Sequence, residues 1–286
     1  MFESLIGNIE VKKILRESIQ SNNIPHSFIF SGIEGIGKKL FAREYAKNIM
    51  CLENGNCKNT CDSCIKFDSK SHPDFIEINP DGKAIKIDQI RNMQERIAEK
   101  PIISNKKVYI INNADFMTEE SQNCLLKTLE EPPEYAIIVL VTSNESKLLA
   151  TIKSRCVFIK FNKISNEELH NYFNEFSENQ IKLLNGSFQN SATIKEREEE
   201  YESLKKIVEL LQKGTILELI ECAEILYKKK ENILEMLNSL NIILLEKNIL
   251  EPIKFVEKTK RKIIANNNYE MSIDYLLINS WKVVNS

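Results

Sequence analysis

Gly32-Ile33-Glu34-Gly35-Ile36-Gly37-Lys38-Lys39 decides the fold of this chain. These residues follow an apolar run, Ser27-Phe28-Ile29-Phe30, and open a helical stretch, Lys38 to Met50. A strand, a glycine-rich turn and a helix in that order are the setting of a phosphate-binding loop. The cradle consists of Gly32, Gly35 and Gly37, whose backbone N–H groups can close on phosphate oxygens, and of Lys38, which would reach the β and γ phosphates. The next residue of such a loop is Ser or Thr, whose hydroxyl binds Mg²⁺. Here it is Lys39, which cannot ligate a cation. Without a ligand, the same residues would form only a tight glycine-rich turn.

A second stretch departs from the pattern in the same direction. Lys107-Val108-Tyr109-Ile110-Ile111-Asn112-Asn113-Ala114-Asp115 reads as a buried strand running into a polar pair. In an NTPase built this way, one carboxylate at the strand end holds Mg²⁺ and the next orients the attacking water. Asn112 and Asn113 are amides, which bind Mg²⁺ poorly and cannot act as bases. Asp115 is the nearest acid, three residues beyond Asn112 and past the expected strand end.

Between these motifs lies a metal-ligand pattern: Cys51, Cys57, Cys61 and Cys64, with gaps of five, three and two residues, in a Gly/Asn-rich loop. Thiolates at this density suit tetrahedral Zn²⁺, and four protein ligands leave no position for a substrate. A structural zinc is the expectation, with a redox Cys-x-x-Cys or chance clustering as alternatives. Cys124, Cys156 and Cys222 read as small buried residues, and His26, His72 and His170 lack metal-ligand spacing.

The remainder bounds the answer. The chain has 286 residues, 42% of them apolar and 28% charged, with a net charge of −2. Lys and Arg number 22 against 21 Asp and Glu up to Asn162, and 17 against 20 after it, so no region is broadly basic enough to hold nucleic acid by charge alone. The apolar run Ala136 to Val141 is far too short to span a bilayer. Met1-Phe2-Glu3-Ser4 does not begin a signal peptide, so a cytoplasmic protein with reduced cysteines is expected and no membrane partner.

Strands at Ser27–Phe30, Phe75–Ile78, Val108–Ile111, Ala136–Thr142 and Cys156–Phe161 alternate with helices at Val11–Ser21, Lys38–Met50, Ile87–Lys100 and Glu119–Glu130. The expected fold is therefore α/β, a parallel sheet covered on both faces. After Phe161 the strand signal stops. Asn166–Phe176 and Ser177–Leu184 read as short helices, Gly186-Ser187 as a break. Beyond Ser191, Leu204, Ile207, Val208 and Leu211, and Ile233, Leu234, Leu237, Leu240 and Leu244, recur at helical spacing. Glu196–Glu202 and Lys228-Lys229-Lys230 read as solvated faces.

Two more stretches complete a specific set: Leu125 to Pro133, Leu-Leu-Lys-Thr-Leu-Glu-Glu-Pro-Pro, and Ser154-Arg155-Cys156. Together with His26-Ser27-Phe28, the phosphate loop, the four cysteines, His72-Pro73-Asp74 and Ile87 to Arg91, they cover roughly residues 1–165. In this order they resemble the delta-prime subunits of the bacterial DNA polymerase III clamp loader, a branch of the AAA+ proteins. The resemblance implies an AAA+ domain at 1–162 with an inserted zinc loop at 51–64, a helical lid at 163–200 and a helical collar at 201–286. It implies a ring with gamma/tau motor subunits and a delta subunit that opens the sliding clamp and places it on primed DNA. Arg155 would be an arginine finger, completing a neighbour's ATP site in trans. The cysteine spacing departs from the family's, which has a longer first gap and a two-residue second gap. The lid's phosphate-sensing arginine corresponds to Gln189, in Gly186-Ser187-Phe188-Gln189. Lys39, Asn112, Asn113 and Gln189 thus all point to a stator that does not hydrolyse ATP. Lys38 and the glycines leave weak or structural binding of ATP or ADP open. The competing readings are an ATP-hydrolysing motor subunit and an unrelated zinc-stapled interaction module.

Overall fold

The computed structural model describes residues 1–188, 191 and 194–285, with only the backbone of 195–197. The chain divides into two compact units, Met1–Asn174 with Asn185–Gln189, and Glu175–Leu184 with Asn190–Ser286.

In the first unit, α1 (Ile9–Gln20) leads into β1 (Ser27–Ser31), the phosphate loop and α2 (Lys38–Met50). Then come α3 (Asp62–Asp68), β2 (Phe75–Ile78), α4 (Ile87–Ile97), β3 (Lys107–Ile111) and α5 (Glu119–Glu130). β4 (Ala136–Thr142), α6 (Ala150–Lys153), β5 (Val157–Lys160) and α7 (Asn166–Tyr172) complete it. The five strands form one sheet in the order β2-β3-β4-β1-β5, and every pairing is parallel.

The strand sequences show why. β1, β3 and β4 are buried at every position, which a sheet covered on both faces demands. Alternate residues serve alternate faces. Phe28, Phe30, Val108, Ile110, Ile137 and Val139 pack under α1 and α2, against Leu15, Phe41 and Tyr45. Ile29, Tyr109, Ile111, Ile138 and Leu140 pack on the other face against Ile90 and Met93 of α4 and Leu125 and Leu129 of α5. Each buried aliphatic side chain contributes about 1.5–3 kcal/mol to the folded state.

Several details depart from the sequence expectation. The cysteine loop is not wholly irregular, since Asp62–Asp68 is a helix. Its Asp62 complements the helix N-terminus, and Lys66 pairs with Asp62 one turn back at 3.0 Å. The helix beginning at Ile87 stops at Ile97, three residues short of Lys100, because the turn toward Pro101 starts early. Ile14 of α1 is half exposed, although Val11, Leu15 and Ile19 of the same helix are buried. Cys124, Cys156 and Cys222 are half-buried rather than buried.

One buried carboxylate ties the sheet's entry together. Asp74, immediately before β2, is fully buried and accepts N–H bonds from Ile102 at 2.7 Å, Ile103 at 2.8 Å and Ser104 at 3.0 Å. It thereby fixes the segment that leads into β3.

The second unit is helical: α8 (Glu178–Leu184), α9 (Ile194–Lys213), α10 (Ile216–Cys222), α11 (Glu224–Lys228), α12 (Ile233–Glu246), α13 (Ile253–Ile264) and α14 (Tyr269–Val284). Leu204, Ile207, Val208 and Leu211 of α9 are buried, as are Leu237, Leu240 and Leu244 of α12; Leu234 is exposed. Trp281 Nε1 donates to the Gly214 carbonyl at 3.0 Å, tying α14 to the end of α9. Lys228 pairs with Glu224 and Lys229 with Glu200, while Lys230 lies over the Tyr269 ring. Among the described residues, no helix is long and apolar enough to cross a membrane.

Burial alone would raise the Asp74 carboxyl, but the three N–H bonds outweigh it and hold it below the usual aspartate range. A depressed folded value means that its stabilisation is complete above the ordinary pKa near ~3.9 and is lost as pH falls through the folded value. Asp74→Asn should cost about 2–3 kcal/mol at neutral pH, measured by urea unfolding. It should also flatten this part of the acid-side decline.

Candidate functional site

Parallel strands deliver their carboxyl ends to one edge, and most of the residues singled out above gather there. Gly37 has φ of 90°, a left-handed turn that L side chains resist, and it caps α2. A Cβ on Gly32 would fall 2.7 Å from the Phe161 carbonyl oxygen, so this glycine is fixed by crowding. The loop is therefore built as its sequence implies, but its lysine is engaged within the chain. Lys38 is buried, and its Nζ donates to the carbonyls of Gly32 at 2.7 Å and Ile33 at 2.6 Å, and to Ser143 Oγ at 3.2 Å. Burial lowers its ammonium to about 8, against the opposing pull of Asp115 and Glu34. The Gly35 carbonyl accepts the Phe188 N–H at 2.8 Å.

Beyond β3, Asn112 and Asn113 part company. Asn112 is buried; its Nδ2 donates to Glu77 Oε1 at 2.8 Å and to Asn79 Oδ1 at 2.9 Å. Asn113 is exposed, with φ of 49°, and starts the short turn Ala114–Phe116. Asp115 accepts from Thr142 Oγ1 at 2.9 Å and from the Ser143 N–H at 3.2 Å, so it braces the end of β4. Lys39 pairs with Glu77 at 2.5 Å, and Arg43 reaches the other oxygen of Glu77 at 2.7 Å. Gln189 lies outside the described residues.

The four cysteines come together. Their Sγ atoms all lie within 4.8 Å of one another, with Cys51–Cys57 at 3.3 Å, Cys57–Cys64 at 3.5 Å and Cys51–Cys61 at 3.9 Å. Tetrahedral zinc with bonds near ~2.3 Å needs sulfur separations of about 3.8 Å, so the set fits such an ion. Burial pushes the Cys57 thiol up, but the Cys61 backbone and the surrounding thiols outweigh it and bring it to about 6. Burial and the neighbouring thiols push Cys64 the other way. α3 carries Cys64, and Ser63 beside it donates to the Met50 carbonyl at 2.7 Å, at the end of α2. His72 Nδ1 accepts the Asp74 N–H at 3.1 Å, so its Nε2 carries the proton and donates to Ser63 Oγ at 2.9 Å. His72, assigned no chemistry from its spacing, thus holds the cysteine loop to the sheet.

Arg155 stands apart, before the amino end of β5. Its Nη2 pairs with Glu130 at 2.6 Å, and its Nη1 donates to the Thr151 carbonyl at 2.9 Å. It is about one-third exposed. Glu77 and Ser143 were not singled out from the sequence, and Glu130 entered only as one residue of the Leu125 to Pro133 stretch, with no role. Only Glu77 gave a sign there, as a charged residue within the apolar strand Phe75-Ile76-Glu77-Ile78.

Residues 7–165 match the family profile described as DNA polymerase III, delta subunit. The DNA polymerase III subunit delta′ of Bacillus subtilis is 36% identical over 209 residues, which is 71% of this chain and 63% of that protein. The gamma/tau subunit of Mycoplasma pneumoniae is 38% identical over 167 residues, 58% of this chain and 24% of that protein. The chain thus spans less than two thirds of the length of either relative. A DNA polymerase III gamma subunit-related protein from Thermotoga maritima superposes with a TM-score of 0.54 at 21% identity, over 94% of this chain and 98% of its own. That last likeness shows the fold.

The chain purified without chelator should carry about one zinc, measured by elemental analysis, and Cys64→Ser should lose it together with several degrees of thermal stability.

Proposed function

We propose, because the chain belongs to the family described as DNA polymerase III, delta subunit, that it is a clamp-loader subunit acting as a stator that does not hydrolyse ATP. The observation that carries this reading is the state of its phosphate loop. Lys38, the residue meant for phosphate, is spent on the carbonyls of its own loop and on Ser143. The strand end that would supply acids offers Asn112 and Asn113. A phosphoryl-transfer site needs a metal ligand and a group to orient the nucleophile, and neither amide serves. Binding of ATP or ADP at Gly32, Gly35, Gly37 and Lys38 would first have to displace the internal bonds of Lys38, which makes it weak.

In this reading the chemical contribution is Arg155. Its guanidinium, held by Glu130 and one-third exposed, is an arginine finger for the ATP site of an adjacent gamma/tau subunit. Such a finger stabilises the charge that develops on the transferred phosphoryl group. The Glu130 pair keeps the side chain extended along the surface until a stronger anion competes for it. Cys51, Cys57, Cys61 and Cys64 hold a structural zinc that fastens the loop 51–64 to α2 and α3. Residues 163–200 act as the lid and 201–286 as the collar that joins this subunit to gamma/tau and delta. Through the assembled ring the chain works on the sliding clamp and primed DNA in the cytoplasm.

One observation favours a second reading, an ATP-hydrolysing gamma/tau-like motor: the M. pneumoniae gamma/tau protein is 38% identical across the matching region. The two readings separate in one assay. The isolated chain should show no Mg²⁺-dependent ATP turnover above background; clear turnover by the pure chain establishes the motor instead. In a reconstituted clamp loader, Arg155→Ala should leave this subunit's melting midpoint within a few degrees of the parent. It should slow the neighbour's site it serves by ~10³ or more, read as loss of that site's share of clamp-stimulated hydrolysis. Full activity of the variant ring would show that Arg155 is no finger.

A further inference from the structure

Glu77 is the centre of a polar cluster drawn from three separate elements, β2, α2 and the end of β3. Its Oε1 takes Lys39 Nζ at 2.5 Å and Asn112 Nδ2 at 2.8 Å, and its Oε2 takes Arg43 Nη1 at 2.7 Å. Asn79 Oδ1 joins the same Asn112 amide at 2.9 Å. Asn112 is 3% exposed, and its own Oδ1 is buried with no hydrogen-bond partner among the described residues. The Glu77 carboxylate is the kind of donor a hard divalent cation takes, and the Asn79 amide oxygen is a weaker one beside it. Burial would raise the Glu77 carboxyl, but the hydrogen bonds and charges of Lys39 and Arg43 outweigh it and hold it below the usual glutamate range.

We infer that the Lys39 ammonium is the resident cation of this cluster, occupying the role of a divalent ion and excluding Mg²⁺ from the chain's own phosphate loop. The inference rests on the reading of this chain as non-hydrolysing and names the residue that enforces it. Asn112 belongs to the same device. It donates to Glu77, whereas a carboxylate there would set a second anionic oxygen against Glu77 across the 2.8 Å now spanned by a hydrogen bond. The local charge count gives the direction. Lys39 and Arg43 against Glu77 leave +1, which repels a divalent ion. Lys39→Thr leaves zero and opens the position, with a hydroxyl to offer. Lys39→Thr with Asn112→Asp leaves −1.

The test is a titration of the full chain with Mn²⁺ alone, followed by the electron paramagnetic resonance signal of free Mn²⁺, with the melting midpoint in Mg²⁺ as a second readout. The parent and Asn112→Asp should be indifferent. Lys39→Thr should bind Mn²⁺ weakly. The double variant should bind about one ion per chain, at least about tenfold tighter than Lys39→Thr, since one further carboxylate in contact with a divalent ion is worth more than ~1.4 kcal/mol even at high dielectric. Lys39 is half exposed on the first turn of α2, so the single variant is the one to rely on if the double variant does not fold. Saturable Mn²⁺ binding by the parent, or a folded Lys39→Thr that binds no more than the parent, overturns the inference. Failure of the non-hydrolysing reading would show separately, as ATP turnover by the parent chain.

Discussion

Parallel strand pairing is the constraint on which the rest of the first unit depends. Because β1, β2, β3 and β4 run the same way, the phosphate loop, Glu77, Asn112 and Ser143 emerge at a single edge. Nothing local brings Lys38 to Ser143, which is 105 positions away, or Asn112 to Glu77, 35 positions away. Their contact follows from the register, in which Glu77 lies beside Ile110 and Phe30 beside Val141. The same geometry sends Arg155 to the opposite edge, since it precedes the strand that pairs with β1. The chain thus keeps its buried polar network and its partly exposed arginine at opposite ends of the sheet.

That separation matches a division of chemistry. At the carboxyl edge each cation has an internal partner: Lys38 the loop carbonyls, Lys39 and Arg43 the Glu77 carboxylate. Buried or half-buried groups of this kind are costly to leave unpaired, so the network resists rearrangement. At the amino edge Arg155 has only a pair with the half-exposed Glu130, of the sort that is worth ~1 kcal/mol or less. The first edge is fixed and the second is available.

Much of the fold was legible in the sequence, for a physical reason. Strands buried on both faces must be apolar throughout, so Ala136-Ile137-Ile138-Val139-Leu140-Val141 declares itself, as does Val108 to Ile111. Amphipathic α2 and α5 were read to the residue, and Thr118 caps α5 through the Ser121 N–H. The cysteine set was legible because four ligands within fourteen residues need little help from the rest of the chain. α3 was missed because a helix of seven residues carries too little periodicity to stand out from a Gly/Asn-rich loop. The partners of the site were missed for a different reason. Glu77, Ser143 and Glu130 act through contacts between distant elements, and a single sequence carries no mark of which distant side chains meet. His72 was set aside on spacing as a metal ligand, and its part is to hold Ser63 rather than an ion.

The inward turn of Lys38 also bears on motion. A phosphate loop that waits for its anion is restless when empty, because its amides and lysine have only water to answer them. This loop supplies its own counter-groups, and the Phe188 N–H closes on the Gly35 carbonyl. Its order is set from within, by bonds that an incoming anion would first have to displace, so the loop is a frame that braces itself.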